Sequence, residues 1–467
     1  MPTKNPAQTP TQKELSEKEL DAALKQLQEL MPDEELNQLQ PSGVATVYTS
    51  LVTIWMLVLQ RLGGGKSLNA VVKDVLAGDT SFLPDNKRLR EGTLSENSGA
   101  YSEARSRLQL ETVEFFANRV SNSLMEASPP WLGERRAFLI DGTTITLAPT
   151  DELREAFPPA ANQPGETVWP VAMLLVAHEL QSGVALAPEV GAMYGEHNTS
   201  EAALAQNLFP RLPDDSIVMA DAGFGVFGVA YHATAAGHQI LLRMTKTRFA
   251  SLRRKATLIE QTATTASYRL TWTPTAKNRQ THPDLPADAA IEVTLHEISL
   301  DGETLFVVTT LPLSADEAAA CYARRYDVEH DIRDIKVTLD TENIRAKSVA
   351  MFHKELLTSM VAYNLVIQFR RQAAALANVP PRRLSFTGVW NTFASFLLRF
   401  PPLEAADWPS RYEEALRIAS RCKLPNRPGR SYTRCAHPRR PKSTKFMKQQ
   451  AKQKTNSDPT PPSPKPK

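Results

Sequence analysis

Hydrophobic and polar positions divide this chain into a helical first part and a second part in which strands and helices alternate. Up to residue 130 the apolar residues recur with helical spacing, and Pro129 and Pro130 end the pattern. The pattern predicts an all-α N-terminal domain over residues 1–130. Its predicted helices are Lys13–Met31, Val44–Leu62, Ser67–Leu76 and, approximately, Ala100–Ala127.

From Arg136 onward, β-branched and apolar runs predict strands. Three such runs, AFLIDGTTITL, VAMLLVAHEL and VALAPEVGAMY, are followed by a helix, SEAALAQNLFPRL, for which Asn198 and Glu201 provide a capping signal. A strand in SIVMADAGFG, a helix around VFGVAYHATAAGH and a strand in QILLRMT complete the series. Three strands, a helix, a strand, a helix and a strand predict a ribonuclease-H-like mixed α/β sheet.

The segment from Arg248 to Leu313 interrupts this alternation with short strands, so we predict a β-rich insertion over residues 248–313. A helix is then predicted from Ser314 to roughly Asp340, because Ser314 and Glu317 form a capping box. A last apolar helix is predicted over Phe352–Ala377. We therefore predict one α/β domain over residues 131–400.

Charge is distributed unevenly. The formal net charge is +3, but from Arg421 to the end there are 14 Lys or Arg residues and one acid, Asp458, which leaves a net −10 on residues 1–420. Residues 421–467 therefore predict a basic, disordered tail, which is either an arm that contacts phosphates or a merely solvated terminus.

Composition and hydropathy exclude several classes of protein. Three cysteines without a CxxC spacing do not predict a disulfide framework, so a reducing cytoplasm is expected. The first twenty residues are polar and do not resemble a secretory signal. The longest apolar run, Val44–Leu62, contains Thr, Ser and Tyr and ends in Gln60 and Arg61, so we predict a buried helix and no membrane partner.

Two carboxylates stand out in the α/β part. Asp141 in FLIDGTT and Asp221 in VMADAGFG each lie toward the end of an apolar strand run. Burying such an acid is costly unless it is paired or binds a cation, and strand ends are where α/β sheets hold ligands. A glycine soon after each acid lets a substrate approach the backbone. Each motif alone is also compatible with an ordinary turn.

The helix predicted after the insertion carries a third acid within a polar stripe. Tyr322, Arg325, Glu329 and Lys336 follow the spacing Tyr-x2-Arg-x3-Glu-x6-Lys, which places all four within about 60° on a helical wheel. Arg325 and Glu329 could alone be an ordinary i,i+4 surface pair. The full stripe indicates a functional helix face.

These motifs carry a family resemblance. YARRYDVEHDIRDIK resembles the YREK signature of the insertion-sequence transposases of family four, and FLIDGTT and VMADAGF resemble the first two acid motifs of that family. The resemblance extends from about Phe138 to Phe369. It implies a DDE transposase with a retroviral-integrase-like catalytic domain, in which Asp141, Asp221 and Glu329 are the catalytic metal ligands. It also implies that Tyr322, Arg325 and Lys336 contact DNA phosphates.

The same resemblance implies the reaction, the cofactors and the partners. Two Mg²⁺ or Mn²⁺ ions per active site assist cleavage at terminal inverted repeats and strand transfer by the 3′ hydroxyl. The partners are the inverted repeats and a target DNA, joined by a homodimer, in the bacterial cytoplasm and associated with the nucleoid. The N-terminal helical domain is then expected to bind DNA, with Tyr101, Arg105 and Arg107 either contacting it or being ordinary helix residues.

Two other functions remain compatible with the sequence. A ribonuclease-H-like nuclease would use the same acids without strand transfer, and it is only the YREK stripe that argues against it. A domesticated, catalytically inactive derivative would bind the DNA ends without cutting them. Retention of all three acids argues against that second alternative.

Overall fold

The computed structural model describes residues 30, 33–43, 46–78, 80, 83–160, 168–300, 303–335, 344–399 and 408–425. The N-terminal part is helical within these residues, as predicted. Its helices are α1 (Asp33–Leu39), α2 (Ser50–Leu62), α3 (Leu68–Ala77), α4 (Lys87–Arg90), α5 (Gly99–Arg107) and α6 (Leu110–Glu126). The helix predicted over Lys13–Met31 lies outside the described residues except for Leu30.

Two predicted boundaries in this part are wrong. The second helix begins at Ser50 and not at Val44, because the Thr49 side chain accepts a hydrogen bond from the Val52 N–H and caps the helix there. The single helix predicted over Ala100–Ala127 is two helices, separated at Leu108 and Gln109. Gln109 has an extended backbone and is the residue before the second helix begins at Leu110.

A nine-stranded mixed sheet forms the second part, as the alternation of apolar runs predicts. Its elements are β1 (Ala137–Thr146), α7 (Asp151–Ala156), β2 (Val171–Glu179), β3 (Glu189–Ala192), α8 (Glu201–Leu208), β4 (Ile217–Ala220), α9 (Phe227–Ala235), β5 (Gln239–Arg243), α10 (Lys246–Arg253), β6 (Thr257–Gln261), β7 (Thr265–Trp272), α11 (Ala276–Thr281), β8 (Ile291–Leu300) and β9 (Glu303–Thr309). The strand order is β3-β2-β1-β4-β5-β9-β8-β7-β6.

The first five strands occur in the predicted succession. β1 pairs antiparallel with β2 and parallel with β4, and β5 continues the parallel set. The third predicted strand is shorter than its apolar run, since only Glu189–Ala192 pairs with β2. Nearly all side chains of β1 and β4 that precede the acids are buried, because helices cover both faces of the sheet.

The predicted β-rich insertion continues this sheet. β9 pairs antiparallel with β5, and β8, β7 and β6 extend the sheet outward as a meander. Trp272 of β7 is buried and packs edge-on against Phe227 of α9, with ring centroids 5.6 Å apart. The insertion therefore shares apolar contacts with the α/β layer.

Five α-helices follow the sheet within the described residues. They are α12 (Ala315–Ala323), α13 (Tyr326–Arg333), α14 (Val349–Leu376), α15 (Phe386–Arg399) and α16 (Trp408–Ser420). The continuous helix predicted from Ser314 to Asp340 is thus wrong. Ser314 does cap α12 through the predicted capping box, but the helix is interrupted at Arg324 and Arg325 before α13 begins.

Helix α14 joins the two parts of the molecule. It is buried along most of its 28 residues and packs against α2 and α6 on one side and against α15 and α16 on another. One hydrophobic cluster includes side chains of the N-terminal helices, of α14 and of the sheet. The division into domains at residue 130 remains a prediction, since Met1–Leu424 forms one compact unit by internal contacts.

The structure also bears on the DNA contact, the membrane and the tail considered from the sequence. Tyr101 and Arg105 are buried in the core, so neither belongs to an exposed DNA-binding face, whereas Arg107 is exposed. Within the described part of the chain, none of the helices combines the length and apolar character needed to cross a bilayer. The basic tail beyond Pro425 lies outside the described residues.

Candidate active site

The two strand acids meet at one edge of the sheet. β1 and β4 are adjacent parallel strands, with Leu139 opposite Met219 as the last bonded pair. Extending this register by two residues places Asp141 beside Asp221, and neighbouring strands lie about 4.8 Å apart. The two acids, which the sequence places in separate motifs, therefore lie side by side in the fold.

Each acid is oriented by its own backbone. The Gly142 N–H donates to Asp141 Oδ1 at 2.9 Å, and the Gly223 N–H donates to Asp221 Oδ1 at 2.8 Å. Both carboxylates are half-buried. Such short local hydrogen bonds restrict the side chains without neutralising them, which leaves further lone pairs of both acids available to a ligand.

A fourth carboxylate, which the sequence predicts only as part of a helix cap, lies at this edge. Ser200 caps α8 by accepting a hydrogen bond from the Ala203 N–H at 3.2 Å, so Glu201 is free of the predicted capping role. Its side chain instead lies against Gly142. A Cβ atom added at Gly142 would be 1.8 Å from Glu201 Oε1, so only glycine leaves room for this carboxylate next to Asp141.

The interaction of the acids is visible in their pKa values. Burial raises the pKa of Asp141, the Gly142 hydrogen bond lowers it, and the charges of Asp221 and Glu329 raise it further against the lowering effect of Arg325. Burial also raises the pKa of Glu201, and the charges of Asp141 and Asp221 add to that rise. These couplings place Asp141, Asp221, Glu201 and Glu329 in one electrostatic group.

The third predicted acid approaches from α13. Arg325 is buried at the break between α12 and α13, and its Nη2 donates to Glu329 Oε1 at 2.9 Å. The Glu329 side chain is 46% exposed, so it lies at the open side of the group. Burial lowers the pKa of Arg325, but the hydrogen bond with Glu329 and the nearby Tyr322, Glu329 and Asp141 raise it overall, so this guanidinium stays charged.

Tyr322 and Lys336 complete the predicted stripe. Tyr322 is only 2% exposed and packs in an apolar cluster with Leu139 and Met219. It lies in α12, whereas Glu329 lies in α13, because the helix is interrupted at Arg324 and Arg325. Tyr322 is close enough to Arg325 to raise the pKa of that guanidinium. Lys336 lies outside the described residues, and its phosphate contact stays a prediction.

A basic residue that the motifs did not single out lies on the other side of the acids. Arg248 of α10 is exposed, and its Nη1 donates to the Ala222 carbonyl at 2.6 Å. It thereby fixes the turn that carries Asp221. In the sequence, its position in a basic segment soon after β5 is the feature that could have indicated a place near the acids.

The composition of this site fits a hard divalent cation. Its ligands are carboxylate oxygens, which Mg²⁺ and Mn²⁺ prefer, and all four come from strands, helices or their ends. Burial is the main cause of the raised pKa values of Asp141 and Glu201, and the charges of neighbouring carboxylates raise them further. A bound cation would offset these negative charges, so Asp141, Asp221, Glu201 and Glu329 could all hold one.

Comparison with known proteins gives two matches. Residues 132–365 match the family described as Transposase DDE domain, and this range includes every residue of the site. The chain is also similar to the transposase InsG for insertion sequence element IS4 from Escherichia coli (strain K12). The two are 23% identical over 395 residues, which cover 82% of this chain and 83% of that protein.

Proposed function

Because this chain belongs to the DDE transposase family, we propose that it cuts DNA at the inverted repeats of its own element and joins the freed 3′ ends to a target DNA. The observation that carries the proposal is the convergence of Asp141, Asp221 and Glu329 at one sheet edge, beside the buried charge of Arg325. The order of the first five strands and the family match support a ribonuclease-H-like domain over residues 131–400.

The proposed chemistry is a hydrolysis followed by a transesterification, and only the second step conserves the number of phosphodiester bonds. In cleavage, a water oxygen bonds to phosphorus, the bond to the 3′ oxygen breaks, and that oxygen leaves with a proton. In strand transfer, the freed 3′ hydroxyl loses its proton, bonds to a target phosphorus, and displaces the 3′ oxygen of the target. Two divalent cations would activate the attacking oxygen and stabilise the leaving one.

The protein residues provide binding and orientation for these steps. Asp141, Asp221 and Glu329 are the proposed cation ligands, and we assign Glu201 to the same cation site because its carboxylate contacts Gly142. Arg325 holds Glu329 in place and offers positive charge to a phosphate.

Other parts of the proposal rest on the family resemblance. Tyr322 and Lys336, with Arg325, contact DNA phosphates, and residues 421–467 form a DNA-contacting arm. Two copies of the chain on the two DNA ends, in the bacterial cytoplasm, complete the assembly.

Purified full-length protein, DNA carrying the repeats that flank its reading frame, and Mg²⁺ provide the test. Cleavage followed by joining is expected for the wild type, with a loss of about 10³-fold or more in Asp141→Asn. Asp214→Asn is the matched control, because Asp214 is exposed and lies just before β4 at the opposite end of that strand. Equal cleavage by Asp141→Asn and wild type would refute the assignment.

The same assay separates the alternatives. Cleavage without joining would indicate a nuclease, whereas binding without cleavage at any Mg²⁺ or Mn²⁺ concentration would indicate an inactive derivative.

A further inference from the structure

Two imidazoles and a carboxylate come together away from the acid site. His232, His282 and Asp284 each offer one ligand atom, and these three atoms lie within 4.8 Å of one another. His232 belongs to the last turn of α9, whereas His282 and Asp284 follow α11 in the insertion. The cluster thus connects two elements that are 50 residues apart in the sequence.

The fold makes room for the His282 ring. Gly228 lies one helical turn before His232, and a Cβ atom there would be 2.3 Å from His282 Nε2. The ring therefore occupies the space of the missing side chain, beside the ring of His232 at a centroid distance of 5.8 Å. The His282 backbone is fixed, because its N–H donates to the Asn278 carbonyl at 2.8 Å.

The protonation state of His232 and the position of its Nε2 atom both suit a metal ligand. Its Nε2 is buried and makes no hydrogen bond to the described residues, although Asp284 Oδ2 is 3.3 Å away. Burial lowers the pKa of His232. Asp284 raises this pKa and His282 lowers it further, and the net lowering favours the neutral imidazole. The Asp284 side chain is 57% exposed, which leaves a path from solvent.

Gln206 contacts the ring of His282. Its Nε2 lies 3.2 Å from His282 Nδ1, an arrangement in which the amide N–H donates to the ring nitrogen. A half-turn of the amide group exchanges its nitrogen and oxygen; the oxygen then accepts the Nδ1 proton, and the Nε2 lone pair of His282 is left for a metal ion. Gln206 lies on α8, the helix that begins with Glu201, so the cluster is also connected to the helix of the acid site.

We propose that His232, His282 and Asp284 bind one divalent transition-metal ion of the zinc type. Two imidazole nitrogens and one carboxylate oxygen are a common zinc ligand set, with a fourth position for water. Zinc–ligand bonds of about 2.0–2.2 Å require the three atoms to draw slightly closer, which side-chain rotation at exposed Asp284 permits. Imidazole ligands disfavour Mg²⁺, which distinguishes this site from the carboxylate group.

The ion would attach the insertion to the α/β layer. α9 is packed on the sheet, and the segment after α11, which also buries Leu285 and Ala289 in the hydrophobic cluster, would gain a second attachment through the ion. A metal ion that binds the folded state and not the unfolded state raises the stability of the folded protein. The proposal therefore concerns how the insertion is fixed, and it does not depend on the DNA chemistry.

Zinc binding by the full-length protein is the first test. Asp141→Asn/Asp221→Asn serves as the background, so that the acid site does not take up the probe. After removal of metal with EDTA and reloading with Zn²⁺, introducing His282→Ala into this background is expected to remove about one zinc equivalent per chain. His197→Ala is the matched control, since His197 is exposed and outside the cluster, and it should keep the full content.

Two further measurements keep the test decisive if His282→Ala folds poorly. Asp284→Asn changes an exposed residue, and it should weaken zinc binding at least tenfold while the metal-free protein keeps its thermal stability. Co²⁺ should give the intense visible absorption of a tetrahedral site in the background protein and in its His197→Ala version only. Equal zinc content and equal Co²⁺ spectra in the background protein, His282→Ala and Asp284→Asn would overturn the proposal.

Discussion

Two ionic groups in this protein show opposite charge balances. At the acid site, Asp141, Asp221 and Glu201 share an edge of the sheet with Glu329 and Arg325. In the helical part, the single carboxylate of Glu355 is buried between two arginines: Arg105 hydrogen-bonds one of its oxygens, and Arg61 is 3.7 Å from the other.

The difference separates a structural ion group from a functional one. Glu355 and both arginine side chains are at most 9% exposed, so one buried carboxylate is shared by two buried guanidinium groups and connects α14 to α2 and α5. The carboxylates of the acid site exceed the positive charge next to them, and burial raises the pKa of Asp141 and Glu201. An excess of one sign is what a cation-dependent site requires.

The largest effect is expected from removing the buried carboxylate of Glu355, which Arg61 and Arg105 share. Glu355→Gln leaves two buried guanidinium groups without their carboxylate, so the free energy of unfolding should fall by about 3–5 kcal/mol. Urea unfolding measures this change. Glu103→Gln is the control, since Glu103 forms only an exposed pair with Arg107 and should change stability by less than about 0.5 kcal/mol. Equal effects of the two substitutions would contradict the structural role.

The next effect concerns the acid site. Glu201→Gln keeps the shape of the side chain and removes its charge, so we expect DNA cleavage to fall by about 10–100-fold, with a weaker apparent affinity for Mg²⁺. Cleavage rates over a range of Mg²⁺ concentrations measure both changes. If high Mg²⁺ gave no recovery and the apparent affinity were unchanged, Glu201 would not belong to the cation site.

A smaller effect on cleavage is expected from replacing Gly142, the glycine against which the Glu201 carboxylate lies. Gly142→Ala places a methyl group where Glu201 Oε1 lies, and the flexible end of Glu201 must move away. Cleavage should fall by about 3–10-fold, while unfolding changes by less than about 1 kcal/mol. Gly99→Ala is the matched control, because a Cβ atom at Gly99 meets no other atom within 4 Å. Full activity of Gly142→Ala would argue against the placement of Glu201.

The smallest effect is a pH dependence of stability. The pKa of Glu201 is above its ordinary value of 4.5 in the folded protein. Between that value and its raised pKa the folded state binds more protons than the unfolded state, so stability falls as pH rises through this window.

Glu201→Gln should remove part of this fall and raise the melting temperature of the metal-free protein above the window by about 1–2 °C. Thermal unfolding in EDTA from about pH 4 to about pH 7 measures it. Asp334, whose pKa burial raises to about 6, contributes equally to both proteins and cancels in the comparison. A melting temperature that is lower in Glu201→Gln across this range would contradict the predicted sign.

The sequence by itself determined the features that depend on local pattern. The alternation of apolar runs predicted the five strands from Ala137 to Arg243 and the helices α8 and α9 in the right order, but not the short helix α7 between β1 and β2. Asp221 follows the end of β4 as predicted, whereas Asp141 lies in the middle of β1. Their motifs, with the spacing of Tyr322, Arg325, Glu329 and Lys336, led to the family that the comparison confirmed.

Only the tertiary structure decided which distant residues share a location. Glu201 looks like a helix cap in sequence and becomes a carboxylate of the acid site because Gly142 leaves space for it. Tyr322 is buried because α12 packs it in one cluster with Leu139 and Met219 of the sheet. His232 and His282 meet through the packing of α9 on the insertion. Periodicity describes one element at a time, whereas these contacts depend on how separate elements pack, which local spacing does not encode.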